Sequence, residues 1–143
     1  MGWLTMKVAF FQLRIIHGSF VLSWFLFILL TVYIIHPADK LTGMTAPLAL
    51  GVAALSGISV AQTLRQKLVT APADELAGQP DNAALLQRWR SGNILQFAFA
   101  ESITLFGLVS RLLGASWPVA APFFAVGLLM LLLSAPRDAS RQF

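Results

Sequence analysis

The chain alternates between long apolar runs and short polar stretches. The first apolar run covers residues 15–35, close to the roughly 20 residues that a bilayer core requires. It carries Phe20, Trp24, Phe25, Phe27 and a series of Leu and Ile with no formal charge, and ends at His36-Pro37-Ala38-Asp39. The second covers residues 46–64, with Pro47 in its first turn, where a missing N–H is tolerated. Arg65-Gln66-Lys67 closes it. A third covers residues 94–113, and a fourth residues 117–135, the two separated by Gly114-Ala115-Ser116. This pattern predicts an all-α membrane protein with four transmembrane helices. Spans 2 and 3 form a central hairpin, in a single membrane domain over residues 1–143.

Between the second and third runs, residues 65–92 form a polar stretch on the cytoplasmic side. Pro72, Gly78 and Pro80 are expected to break the chain there. Asp81 or Asn82 is suited to cap a short surface helix carrying Leu85, Leu86 and Trp89. Residues 1–14 mix Trp3, Phe10 and Phe11 with Lys7 and Arg14, and either lie at the interface or extend the first helix. The first run is longer than the apolar core of a signal peptide and lacks a small-residue cleavage site, so an uncleaved helix is expected.

Composition sharpens the picture. Hydrophobic residues make up 57% of the chain and charged residues 11%, against about 25% charged in a soluble domain. The net charge of +4 does not point to nucleic acid, because the charges flank the apolar runs. Lys7, Arg14, Arg65, Lys67, Arg88, Arg90, Arg137 and Arg141 fall on one side of a four-span layout, and Lys40 and Arg111 on the other. The positive-inside rule then puts the N- and C-termini in the cytoplasm, in a multi-pass cell-membrane protein. Trp3, Trp89 and Trp117 fall near predicted interfaces, as in aromatic belts.

Glu101 is the one acidic residue inside an apolar run. It sits roughly 10–12 Å in from Ile94. A charge at depth costs around 3 kcal/mol on insertion scales, so the carboxyl needs partners. Gln96, Thr104, Ser56 and Ser59 are the candidates. A carboxyl that takes up and releases a proton at such a depth is what ion translocation requires. On the second span, Ala49, Ala53, Gly57 and Ala61 recur every four residues. Such a stripe lets another helix approach closely, from this chain or from another copy.

A small-residue helix, a turn beginning Arg65-Gln66 and a helix reading AFAESITLFGLVSRLLG resemble the hairpin of rotary ATPase c subunits, the proteolipids. The resemblance covers roughly residues 46–113. It implies that Glu101 is the ion-binding carboxylate, followed in register by Leu105, Phe106, Gly107, Leu108 and Val109, and that the Arg65-Gln66 turn faces the cytoplasm. Lys67 stands where that family has Pro, the loop is longer, and the outer spans do not repeat the hairpin.

Arg111 lies about 15 Å along the helix from Glu101 and is expected to snorkel to the outer interface. His17 and His36 fall near opposite ends of the first span, too far apart to share one haem iron. Each is an interfacial histidine or a single ligand completed by another chain. There is no cysteine, no metal-ligand cluster, no phosphate-binding glycine loop and no catalytic triad pattern. No enzyme, no cofactor and no metal are therefore expected. The partners expected are the lipid bilayer and other membrane subunits or further copies of the chain. Three roles follow: a subunit or accessory of a membrane complex, a proton- or sodium-translocating ring component using Glu101, or a ligand- or lipid-binding membrane module using the cytoplasmic loop.

Overall fold

The computed structural model describes residues 2–33, 45–79 and 81–136, and these are α-helical throughout apart from short turns. Helix α1 spans Gly2–Tyr33, α2 Thr45–Arg65, α3 Ala71–Gly78, α4 Ala83–Leu112 and α5 Trp117–Leu133. A π-helical turn, Gln66–Thr70, joins α2 to α3. His36, Lys40, Pro80, Arg137 and Arg141, like the side chain of Trp3, lie outside the described residues. Three segments are long and apolar enough to cross a membrane: Met6–Tyr33, Thr45–Gly78 and Ala83–Leu112. The fourth, α5, is equally apolar but has 17 residues, about 25 Å of helix.

Residues 2–14 extend the first helix, since α1 begins at Gly2. The polar stretch is more ordered than its composition suggests. Pro72 does not break the chain; it sits in the first turn of α3, just beyond the π-helical turn. Leu85, Leu86 and Trp89 do not form a separate surface helix. They belong to the opening turns of α4, which runs unbroken for 30 residues. Of the two expected caps, Asn82 is the one used: its side chain accepts the N–H of Leu85 at 3.2 Å.

Helix α4 is the hub. It packs against α1, α2, α3 and α5, while α1 and α2 do not approach each other among the described residues. Gly92 explains part of this. A Cβ at that position would stand 2.6 Å from the Leu68 carbonyl oxygen, so the π-helical turn rests directly on the α4 backbone. Gly107 admits the Phe124 ring in the same way, and Gly127 admits Thr104.

The α4–α5 turn is a Schellman motif. Gly114 adopts φ 86°, Ala115 N–H donates to the Ser110 carbonyl at 2.9 Å, and Gly114 N–H to that of Arg111 at 3.0 Å.

Residues are partitioned against the habit of a water-soluble protein. Large apolar side chains face outward along α1 and α2, among them Phe11, Leu22, Phe25, Leu29, Leu48 and Leu55. Asn93, Gln96, Thr104, Ser110 and Thr31 are buried instead. Water would penalise that surface, whereas lipid accommodates it and drives polar groups to the bundle interior.

Candidate functional site

Helices α1 and α4 lie side by side in parallel. Arg90 donates to Gln12 Oε1 at 2.8 Å, and Ser23 donates to Glu101 Oε1 at 2.6 Å. Both pairs have the same offset along the chain, 78 residues. They are separated by about three helical turns, the interval that returns a contact to the same face. Between them, Phe97 packs against the His17 ring at 5.1 Å and the Phe20 ring at 5.7 Å.

Glu101 is half-buried in this seam. Its partner comes from α1, not from the four residues proposed on α2 and α4. Gln96 donates to the Ala61 carbonyl at 2.7 Å. Thr104, Ser56 and Ser59 each donate to the carbonyl four residues back in their own helix. Ser23 could do the same but reaches across to the carboxylate. Nothing in an apolar run distinguishes such a serine from a back-bonded one, so this partner has no sequence signal.

The small-residue stripe is divided. Ala61 is buried and its carbonyl receives Gln96, while a Cβ on Gly57 would just meet Phe99 at 4.0 Å. Ala49 and Ala53 are exposed. The α2–α4 contact therefore uses the Gly57–Ala61 half of the stripe and leaves Ala49 and Ala53 uncovered. Glu101 turns to α1 rather than to this contact.

Arg111 does not snorkel outward. It is 6% exposed, donates to the Ala115 carbonyl at 2.7 Å and lies 5.0 Å from the Trp117 ring. The Schellman turn brings both acceptors within reach, and a cation over an indole face is favourable. Its Nε and the Ser110 hydroxyl are buried with no partner among the described residues.

His17 Nε2 meets the Leu131 carbonyl at 2.9 Å. A carbonyl only accepts, so this nitrogen carries the proton. Trp24 likewise donates to the Phe124 carbonyl at 2.9 Å. Among the described residues, no three His, Cys, Asp or Glu side chains gather as metal ligands. In comparisons with protein families, curated proteins and solved structures, nothing matches the chain.

Proposed function

We propose that this chain is a four-span membrane protein with both termini cytoplasmic, serving as a subunit or accessory of a larger membrane complex. The observation that carries the membrane reading is the outward-facing apolar surface of α1 and α2 around a polar interior. The fourth span is α5, which packs against α4, Phe124 meeting Gly107 and Gly127 meeting Thr104, and so shares its depth. Orientation rests on Lys7, Arg14, Arg65, Lys67, Arg88 and Arg90, which belong to the end of the bundle where Arg90 meets Gln12 and Arg65 meets Leu133. The subunit role rests on the uncovered half of the α2 stripe, where Ala49 and Ala53 offer close approach to a further helix.

The chain has no cysteine, so single-cysteine reporters are unambiguous. Cysteines at Gln79 and at the C-terminus should react with an impermeant thiol reagent only from the cytoplasmic side, and one at Ser116 only from the other. Labelling of Gln79 and Ser116 from the same side would refute the layout. Native mass spectrometry of gently solubilised protein should show a heteromeric assembly. A stable solitary monomer would refute the subunit role.

The hydrogen-bonded, half-exposed Glu101 favours a second reading, an ion-carrying carboxyl in a ring similar to that of c subunits. A carboxyl-modifying carbodiimide should then label Glu101, in particles containing many copies. An inert Glu101 in a small particle removes this reading.

A further inference from the structure

Two openings are each lined by residues of α2 and α4 and by α5 or the residues just after it. At the basic end of the bundle, a cavity of about 190 Å³ is bounded by the end of α2, the π-helical turn, α3, the first half of α4 and the residues that follow α5. Its polar lining includes Arg65, Thr70, Asp74, Asn93, Gln96 and Ser134. One water needs roughly 10–15 Å³, so this space takes a ligand-sized group. The second opening, about 360 Å³, is apolar. Leu55 and Ile58 of α2 line it with Pro122 and Val126 of α5, and Ile103 of α4 lies between them. Helices α2 and α5 scarcely touch, because each packs on α4. From Ile58 to Arg65, from Ile103 to Gln96 and from Val126 to Ser134, each helix climbs about 10–12 Å from the apolar opening to the polar one.

The polar atoms left free in the cavity have a definite character. Gln96 Nε2 is committed to the Ala61 carbonyl and Asn93 Nδ2 to the Trp89 carbonyl, at 2.7 and 2.9 Å. Carbonyls accept only, which fixes the orientation of both amides. Gln96 Oε1 and Asn93 Oδ1 remain as acceptors on side chains that are 4% and 5% exposed. Asp74 adds a carboxylate. Arg65 gives one nitrogen to the Leu133 carbonyl at 3.1 Å and keeps further N–H donors. The site thus presents acceptors for a group rich in N–H and a guanidinium for an anion, about 10–12 Å from an opening suited to hydrocarbon.

We propose that the polar cavity and the apolar opening together hold one phospholipid whose headgroup carries a primary ammonium. Its phosphate lies on Arg65, its ammonium on Asn93, Gln96 and Asp74, and one acyl chain between α2 and α5. The inference rests on the membrane reading above. A trimethylated headgroup has no N–H for the two amide oxygens, and a glycerol headgroup brings no positive charge to Asp74.

The test is a lipid titration of the delipidated full chain in detergent, read by native mass spectrometry. The lipids are phosphatidylethanolamine, phosphatidylcholine and phosphatidylglycerol with identical acyl chains. One phosphatidylethanolamine should bind at least about fivefold more tightly than either of the others. Asp74→Asn should erase the preference over phosphatidylglycerol, leave phosphatidylglycerol binding intact and keep the preference over phosphatidylcholine, which the two amide oxygens set. Arg65→Gln should weaken all three, and Ser102→Ala should change none. Equal affinities for the three lipids in the unmodified protein, or a preference over phosphatidylglycerol that survives Asp74→Asn, would overturn the proposal. Release of the protein from membranes by an alkaline carbonate wash would instead overturn the membrane reading itself.

Discussion

His17 Nε2 donates to the Leu131 carbonyl of α5, from a residue more than a hundred positions earlier in the chain. The last four carbonyls of a helix have no intrahelical partner, and here all four are taken. Met130 receives Ser134 N–H, Leu132 receives Ala135 N–H, Leu131 receives His17 and Leu133 receives Arg65. Replacing His17 with Phe keeps the packing on Phe97 but leaves one acceptor open. We expect a loss of about 1–3 kcal/mol, read as a lower unfolding midpoint by circular dichroism in detergent. His17→Gln, which retains a donor, should recover part of it. An unchanged midpoint in His17→Phe would show that water or lipid headgroups serve that carbonyl equally well.

The Ser23–Glu101 bond invites a double-mutant cycle. Ser23→Ala and Glu101→Leu, alone and together, should give a coupling energy of about 1–2 kcal/mol. Additive effects would mean that the hydroxyl and the carboxyl do not depend on one another.

Glycines provide a matched comparison. Gly92→Ala places a methyl against the Leu68 backbone, which cannot yield as a flexible side chain does. A loss of about 1–3 kcal/mol is expected, as for other overpacked positions. Gly18→Ala meets nothing within 4 Å and should be neutral or stabilising by up to about 1 kcal/mol, because alanine is the better helix former. Thermal melts of the two variants side by side check both signs.

Gly51 and Ala53 separate intramolecular from intermolecular packing. A Cβ on Gly51 meets nothing within 4 Å, and Ala53 is exposed. Gly51→Leu and Ala53→Leu should therefore leave the fold of the single chain intact. If α2 docks a neighbouring subunit, both should shift the assembly to smaller particles by native mass spectrometry. Assemblies of unaltered mass would place the subunit contact elsewhere.

What the sequence discloses depends on how local the determinant is. The apolar runs, the tight turn at Gly114 and the capping residue Asn82 are local, and each is readable from its neighbours. The unbroken length of α4 is not. Ser91-Gly92-Asn93 looks like a joint until Leu68 is seen packed against Gly92. The partner of Glu101 was equally hidden, since a hairpin reading directs attention to α2 while the carboxyl faces α1. The polar cavity escapes notice for the same reason. Its walls come from five separate segments, and Asn93 and Asp74 carry no mark of their own. Arg111 illustrates the opposite error: a cation near a span end suggests an extended side chain, but the turn that follows folds carbonyl and indole back over it.

The parallel pairing of α1 with α4 bears on how the chain is assembled. Gln12 and Ser23 emerge from the ribosome 78 residues before Arg90 and Glu101, and the intervening α2 does not pack on α1 among the described residues. On the four-span reading proposed above, the first helix therefore resides in the bilayer without its α4 partner while more than half of the protein is still being made. Its freedom from formal charge between Ile15 and Tyr33 makes that solitary period tolerable.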